Sequence, residues 1–300
     1  AFNRFNSEHP ETACNGIPRA LIFYTDSQNH EIPLLNEGVD YALPWRSVMT
    51  LDEMLAASGF ESSQQIDKRN DDEIWSRAEL TRYLGKQFQG QCQHMLGSLQ
   101  GMANEAYREF PLNQNQTMPS VPYGPYHELY QRLVEANLLA WDGNSQQICF
   151  QSEDACRYLA GRWLEELTYL TTCECGFEEV AMSVDGIWSG NSVKLNSERG
   201  KNNEFDILFC HNNQLLIIEC KAKSWYERQK EESTNQDVVL KLESLGRKLG
   251  GLYGERLLVS ARQLPDEMVQ RARDNRISHC DRADGQAIRA TLQRYFDKMK

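Results

Sequence analysis

Two apolar segments carry three charged residues at positions that otherwise belong in a protein core. The segments, 203–210 and 215–221, are separated by four polar residues, which predicts two β-strands joined by a short turn. The charged residues are Asp206, Glu219 and Lys221. Burying carboxylates near one another costs free energy unless a cation neutralises them. Hard oxygen ligands beside an ammonium suit a divalent metal ion and a phosphate, which indicates metal-dependent cleavage of a nucleic acid backbone.

The strand period predicts how these groups meet. Side chains alternate along a strand, so Glu219 and Lys221 project from one face and Cys220 from the other. If Asp206 faces the same side as Glu219, a divalent ion is held by both carboxylates and by the backbone carbonyl of Cys220. Lys221 would then orient the attacking water or stabilise the charged transition state. Burial, carboxylates and metal push the pKa of Lys221 in opposite directions, so its protonation is left open.

A helix predicted over 154–170 precedes the strands and supplies a further acid. Glu165 and Glu166 lie among core residues of this helix. Glu165 is the preferred metal ligand or auxiliary acid, because Glu166 lies further round from the stripe formed by Trp163 and Leu167. The alternative is that both glutamates lie on a solvated helix face.

The charge distribution fits the same chemistry. The net charge is −11, which argues against a passive nucleic-acid coat. Residues 221–300 nevertheless hold 17 basic and 12 acidic residues, whereas residues 1–160 hold 11 basic and 21 acidic ones. An acidic pocket followed by a basic segment is what a nuclease needs to bind metal and steer phosphates. Ordinary scatter of surface charge explains the basic excess equally well.

The composition of the chain indicates the cellular compartment in which it is expected to fold. The sequence holds no apolar run of about 18 residues and no apolar leader, so no membrane span is expected. Nine scattered cysteines, an odd number, several within apolar strands, indicate a reducing cytoplasm. Cys173 and Cys175 lack a second pair at workable spacing, so a zinc site is not expected.

Three segments are predicted along the chain. Segment 1–60 contains strands at 20–24 and 30–35, joined by a turn, and a helix over 51–58 capped by Thr50. Segment 61–150 begins with a polar linker or surface loop at 61–73 and continues with helices, a long loop and an Asp-Gly hairpin, a combination that resembles a winged-helix module. A helical connector with a decorative hairpin is the alternative. The predicted helices are 74–83, 87–110 and 126–137, the loop is 111–125, and the hairpin is 138–150.

Segment 151–300 has an order typical of an α/β domain. Its predicted elements are a helix, three strands, a helix, a strand, a helix, a short strand and a closing helix. This order predicts a mixed sheet flanked by helices. The predicted strands are 178–188, 204–210, 215–221, 256–260 and 276–278, with a polar loop at 189–203.

The pattern of a helical Glu165, then Asp206, then Glu219-Cys220-Lys221, with twelve residues between Asp206 and Glu219, resembles the PD-(D/E)xK nuclease superfamily. The resemblance implies a restriction-endonuclease-like fold. It gives Asp206 and Glu219 as metal ligands, Lys221 as a catalytic residue, and Mn²⁺ or Mg²⁺ as the cofactor.

The wider segment is similar to the C-terminal nuclease of CRISPR-associated effectors that carry a CARF sensor. This resemblance implies a cytoplasmic homodimer activated by cyclic oligoadenylate that cuts single-stranded DNA or RNA or nicks supercoiled DNA. It assigns Glu204 a supporting acidic role and Lys241 a phosphate or structural contact. The resemblance extends to residues 51–55 and to the 20–35 hairpin, so residues 1–60 are expected to be the remnant or end of a sensor-like α/β domain. They are too few for a complete sensor, so no ligand-binding residues are assigned. The motifs that carry the resemblance to these CRISPR-associated nucleases are Gly161-x-Trp163-Leu164-Glu165, Asn203-Glu204-x-Asp206, Ile218-Glu219-Cys220-Lys221, Lys241-Leu242-x-x-Leu245 and Leu249-Gly250-Gly251.

The sequence therefore predicts a metal-dependent endonuclease of antiviral defence. The alternative is a non-catalytic regulatory protein with a degenerate nuclease fold. Other hydrolytic chemistries are disfavoured, since the sequence contains no HExxH, GxSxG or P-loop motif.

Overall fold

The computed structural model describes residues 31–33, 42–44, 49–177, 179–188, 203–225, 232–250 and 254–299. The chain forms two compact units, one of residues 1–48 with Lys300 and one of residues 49–299. In the first unit, strands β1 (Glu31–Pro33) and β2 (Ala42–Pro44) pair antiparallel. The predicted strand at 30–35 is therefore present over three residues, and its predicted partner at 20–24 lies outside the described residues.

The second unit contains the remaining described elements. Its strands are β3 (Phe60–Asp67), β4 (Asn115–Thr117), β5 (Leu139–Ala140), β6 (Gln147–Phe150), β7 (Glu179–Trp188), β8 (Asn203–His211), β9 (Gln214–Lys221), β10 (Glu255–Ser260) and β11 (Ser278–Cys280). Its helices are α1 (Leu51–Ala57), α2 (Asp72–Ser76), α3 (Ala78–Phe88), α4 (Gln93–Arg108), α5 (Pro125–Glu135), α6 (Glu153–Arg157), α7 (Trp163–Glu174), α8 (Glu232–Gly250), α9 (Asp266–Asp274) and α10 (Gly285–Met299). A π-helical turn, Tyr158–Arg162, joins α6 to α7.

A mixed six-stranded sheet organises this unit. The strand order is β11-β10-β9-β8-β7-β3, with β9, β10 and β11 parallel and the rest antiparallel. From α6 onward, the described elements follow the predicted order of helix, three strands, helix, strand, helix, strand and helix. The predicted mixed sheet flanked by helices is confirmed. None of the described helices is long and apolar enough to cross a bilayer.

Each face of the sheet carries its own apolar core. On one face, Leu216, Ile218 and Cys220 of β9 pack in a cluster with residues of α3, α4, α7 and α10. On the other face, Leu215 and Ile217 pack with residues of α1, α8 and α9. The odd and even positions of β9 thus serve different layers, as the strand period of two requires. A strand buried on both faces reads as a continuous apolar run, which is why its charged residues stand out in the sequence.

The prediction of a linker at 61–73 is wrong. Residues 60–67 form β3, the edge strand that pairs antiparallel with β7, and α2 begins at Asp72. Phe60 is buried, but the following residues are mostly exposed, so the strand has too few apolar positions to show a period of two. Polar residues and register shifts are common on edge strands, because they discourage pairing with other chains.

The helical segment that precedes the nuclease sheet shares its core. Side chains of α3, α4 and α5 belong to the same buried cluster as those of α7 and β9. A small antiparallel sheet of order β4-β6-β5 follows α4, and the predicted hairpin is present in it. Its turn is closed by Asp142, whose Oδ1 accepts hydrogen bonds from the backbone N–H groups of Asn144 and Ser145. The winged-helix-like interpretation of residues 61–150 stays a prediction.

A buried ion pair attaches this helical segment to α7. Arg77, between α2 and α3, donates two hydrogen bonds to Glu166, at 2.8 and 2.5 Å. Glu166 is fully buried, and Arg162 lies 3.4 Å from the same carboxylate. Burial raises the pKa of Glu166, while Arg77 opposes that shift. The guanidinium of Arg77 also lies 4.7 Å from the ring centre of Tyr158 in the π-helical turn.

We expect Arg77→Met to lower the free energy of unfolding by about 3 kcal/mol, because removing one partner leaves a buried carboxylate without its main counter-charge. Urea unfolding followed by circular dichroism measures the change. The matched control is Arg247→Met, which removes an exposed partner of Glu243 one helical turn away and should cost about 0.5 kcal/mol or less. Equal losses in the two variants would contradict a structural role for the Arg77–Glu166 pair.

Candidate active site

The register of β8 and β9 brings the predicted carboxylates together. Ile207 pairs with Ile218, so the preceding residue Asp206 lies opposite Glu219 at the end of the strand pair. The two residues retain 8% and 7% exposure, respectively, so both charges are largely removed from water. Two neighbouring buried carboxylates require a cation or a proton.

The ammonium of Lys221 supplies that cation. Its Nζ lies 2.7 Å from Oε1 of Glu219 and 3.7 Å from Oδ2 of Asp206. It also donates a hydrogen bond to the backbone carbonyl of Cys220, at 3.1 Å. Burial alone would lower the pKa of Lys221, but Asp206 and Glu219 outweigh burial and raise the pKa above its ordinary value. Lys221 is therefore charged at neutral pH in this structure.

Asp206 is the most constrained of these groups. Its Oδ2 accepts a hydrogen bond from the backbone N–H of Cys220 at 2.6 Å. Burial and the neighbouring Glu219 raise the pKa of Asp206 to about 7, although Lys221 and the Cys220 N–H oppose the shift. The Cys220 side chain points away toward α7, where its Sγ lies 3.6 Å from the hydroxyl of Thr168.

An irregularity in β7 and β8 accompanies the position of Asp206. Register places Ser183 of β7 opposite Asp206, and Ser183 has a φ of 49°, a left-handed conformation that serine rarely adopts. On either side of it, Met182 packs on one face of the sheet and Val184 on the other, so the alternation breaks here. Asp206 thereby interacts with β9 and also with α7. Within the described part of the chain, the Ser183 hydroxyl has no hydrogen-bond partner.

Glu165 comes from the first turn of α7. Burial and the charge of Asp206 raise its pKa to about 8, while Lys221 opposes the shift. Its neighbour Glu166 instead binds Arg77, so the two adjacent glutamates have different surroundings. The π-helical turn before α7 sets this geometry, with the Ala160 carbonyl accepting a 2.7 Å hydrogen bond from Nε2 of Gln100. π-turns inside helices are frequent at functional sites.

Glu204 and Lys241, the two residues assigned supporting roles, lie outside the group formed by Asp206, Glu219 and Lys221. Glu204 is exposed on β8 and is 3.4 Å from Arg157. It is close enough to Asp206 and Glu165 to contribute to their raised pKa values. Lys241 is exposed on α8, on the helix layer opposite α7, and no described contact connects it with the carboxylates.

The oxygens of the site fit a hard divalent cation. The ammonium of Lys221 contacts oxygens of Asp206, Glu219 and the Cys220 carbonyl, so three oxygens already converge on one positive charge. Carboxylate and carbonyl oxygens are the ligands that Mg²⁺ and Mn²⁺ prefer. Among the described residues, no three His, Cys, Asp or Glu side chains form a ready-made metal cluster. A metal would therefore need Lys221 to move and other ligands to complete its shell.

The family comparison decides the class of the C-terminal half. Residues 152–299 match the family described as the Card1-like endonuclease domain. This half of the chain is a Card1-like endonuclease domain. The resemblance drawn from the sequence over 151–300 is confirmed, and the carboxylate–lysine site lies within this endonuclease domain.

Two solved structures share the fold over nearly the full chain. Protein VC1899 from Vibrio cholerae is 22% identical, with a TM-score of 0.72, and the match covers 98% of this chain and 71% of that protein. Can2 from Sulfobacillus thermosulfidooxidans, solved in complex with cyclic tetra-adenylate, is 21% identical, with a TM-score of 0.72 and coverage of 99% and 71%. No curated protein is detectably similar in sequence.

Sequence reasoning missed the residues that hold α7 in place. Arg77 and Gln100 lie in the helical segment, far from the endonuclease motifs in sequence. Arg77 binds Glu166, the residue after Glu165, and Gln100 binds the carbonyl of Ala160 in the π-helical turn before α7. The available signal was a polar residue, Gln100, at a buried helical position. Only the packing of the helices showed which partners they meet.

We expect the metal-free protein to lose stability as pH rises from about 4.5 to 8. Over this pH range Glu165 of the folded protein retains its proton, whereas a glutamate of the unfolded chain has lost it. The free-energy cost of ionising Glu165 in the folded protein is therefore absent below this range and complete above it. Glu165→Gln removes the ionisation and should stabilise the protein above pH 8 by on the order of 1–3 kcal/mol, a range discounted for water screening at this half-buried site.

Thermal unfolding in EDTA at low and high pH measures this difference. The exposed Glu79→Gln is the control and should follow the wild-type pH dependence. A Glu165→Gln advantage that is the same at both pH values would contradict a raised pKa for Glu165.

Proposed function

We propose that this protein is a metal-dependent endonuclease that hydrolyses phosphodiester bonds of DNA or RNA. The observation that carries the proposal is the convergence of Asp206, Glu219 and the Cys220 carbonyl on one cation position, beside Lys221, within a Card1-like endonuclease domain. The arrangement of Asp206 and Glu219-Cys220-Lys221 supports membership of the PD-(D/E)xK superfamily. A Mn²⁺ or Mg²⁺ ion bound here would supply Lewis acidity toward phosphate oxygens and lower the pKa of a nearby water.

The residues of the chain would divide the remaining work. Asp206, Glu219 and the Cys220 carbonyl would hold the ion, with Glu165 completing the ligand set or accepting a proton. Lys221, released from Glu219 by the ion, would place its ammonium on a phosphate oxygen and stabilise the negative charge that develops in the transition state. Since the pKa of Lys221 is raised by the carboxylates, it would act as a cation and not as a general base.

Regulation is proposed from the structural neighbours. Can2 was solved with cyclic tetra-adenylate bound, and its fold is similar over 99% of this chain. We therefore propose that a cyclic oligoadenylate activates the endonuclease, as part of a CRISPR-associated antiviral response in the cytoplasm. Single-stranded DNA or RNA and supercoiled DNA are the proposed substrates, and a homodimer is the proposed active assembly.

The proposal is tested by incubating the protein with single-stranded DNA, single-stranded RNA and supercoiled plasmid. Each substrate is assayed with Mn²⁺ or EDTA, and with or without cyclic tetra-adenylate. We expect cleavage that requires the metal and increases with the cyclic nucleotide. Glu219→Ala should reduce cleavage to background, and Glu79→Ala should not. No cleavage under any of these conditions would instead support a non-catalytic regulatory protein.

Lys221→Met should separate metal binding from catalysis. Cleavage should fall at least about a hundredfold, because a positioned charge at the reacting phosphate is lost. Mn²⁺ affinity, measured by isothermal titration calorimetry, should become tighter, because an ammonium no longer competes for the oxygens of Asp206 and Glu219. Asp206→Asn should weaken Mn²⁺ binding and serves as the opposite control. Weaker Mn²⁺ binding in Lys221→Met would contradict the shared cation position.

A further inference from the structure

A cavity of about 420 Å³ opens beside β11, the edge strand of the large sheet. Its lining residues include Arg273, Arg294 and His279 and the hydroxyl-bearing Ser278 and Thr291. Among the residues that the structure describes, no aspartate or glutamate lines it. A cavity with two guanidiniums, hydroxyl donors and no carboxylate selects for an anion.

Two arginines that line this cavity, and Arg276 next to it in sequence, lack carboxylate partners, as do several other described arginines such as Arg108 and Arg271. Eight other described arginines, by contrast, form ion pairs with carboxylates. Within the described residues, Arg273, Arg276 and Arg294 have no such partner. They are available to an external anion.

The backbone conformation of Arg276 lowers the stability of the folded protein. Arg276 follows the end of α9 with a φ of 55°, in the left-handed region, where glycine is the usual helix-ending residue. The backbone N–H of the next residue, Ile277, bonds back to the carbonyl of Ala272, which closes the helix end. Glycine would make this turn without strain, so an arginine here indicates use of its side chain.

Arg294 is oriented toward the cavity by its own helix. Its Nη2 donates to the hydroxyl of Thr291 at 3.2 Å, and that hydroxyl donates to the carbonyl of Ala287. The buried Tyr295 lies alongside and forms part of the cavity wall. Glu255 is near Tyr295, where burial chiefly, with a contribution from Glu255, raises the phenol pKa to about 12, but Glu255 does not line the cavity.

The cavity lies within reach of the candidate active site. Across the sheet, Glu219 pairs with Leu258, and Leu258 pairs with His279. Two strand spacings separate the backbones of Glu219 and His279 by about 10 Å. At the duplex rise of roughly 3.4 Å per nucleotide, this distance corresponds to about three nucleotides, and along an extended single strand to fewer. A single strand cut near Glu219 can therefore extend to the edge of β11.

We propose that the cavity at β11, with Arg273, Arg276 and Arg294, is a phosphate-binding subsite for the nucleic acid strand outside the cleavage position. This inference rests on the proposed nuclease function and adds the surface that holds the substrate. The ligand class is a single-stranded phosphodiester backbone, bound through charge and without base reading.

The test measures binding separately from cleavage. Affinity of the full chain for a fluorescent single strand is measured by anisotropy in EDTA, at several salt concentrations, with and without cyclic tetra-adenylate. The double variant Arg273→Ala/Arg294→Ala should bind about tenfold more weakly and lower the salt slope by about 1.4, since each single-strand phosphate contact contributes about 0.7. Arg69→Ala/Arg132→Ala removes the same charge elsewhere and should retain wild-type binding.

Arg276→Gly provides a second test that does not depend on a damaged fold. Its melting temperature should rise, because glycine relieves the left-handed strain, while its strand affinity should fall several-fold. A purely structural role for this arginine predicts unchanged affinity.

If Arg273→Ala/Arg294→Ala shows the same affinity and salt slope as the control variant, the subsite proposal is wrong. The proposed nuclease function still stands in that case if the wild-type protein cleaves nucleic acid. Loss of cyclic tetra-adenylate activation with unchanged strand binding would also overturn it, by assigning the cavity to the activator. A wild-type protein that neither binds nor cuts nucleic acid would defeat both the subsite and the proposed function.

Discussion

The ammonium of Lys221 holds two buried carboxylates, and the centre of the endonuclease domain depends on it. Asp206 and Glu219 come from adjacent strands, and each would repel the other without a charge between them. The same ammonium also binds the Cys220 carbonyl, so one cation satisfies three oxygens where β9 ends. The oxygens proposed to hold a divalent ion are therefore already brought together around the ammonium. Metal binding and release of the lysine would then be one event.

The layer of helices on one side of the sheet extends this site into the rest of the molecule. Arg77 and Gln100 belong to the segment before the endonuclease domain. Gln100 nevertheless binds the Ala160 carbonyl within the turn that leads to Glu165, and Arg77 binds Glu166, the residue after Glu165. One apolar core runs through both segments. A structural change in the helical segment therefore affects α7, the helix that carries Glu165. This packing provides a physical route by which events outside the endonuclease domain could alter the acid beside Asp206.

Much of the architecture could be predicted from the sequence because its signals are local. The capping box of α1 at Thr50, the Asp142 turn and the apolar strands β8 and β9 each follow from short-range patterns. The edge strand β3 could not be predicted in this way. Its polar residues gain their backbone hydrogen bonds from β7, more than a hundred residues later, and no local pattern reports such pairing. The π-helical turn at 158–162 was also missed, because it depends on the side chain of Gln100 packing against it.

The sequence by itself determined which residue types were available for chemistry: an aspartate in one apolar strand, and a glutamate and a lysine two residues apart in the next. Strand alternation also determined that Glu219 and Lys221 share a face. Only the tertiary structure decided that Asp206 lies opposite Glu219, that Glu165 and not Glu166 approaches the pair, and that unpaired arginines gather beside β11. The reason is physical. Register, helix rotation and ion pairing are set by contacts between residues distant in sequence, whereas propensity and periodicity depend on near neighbours alone.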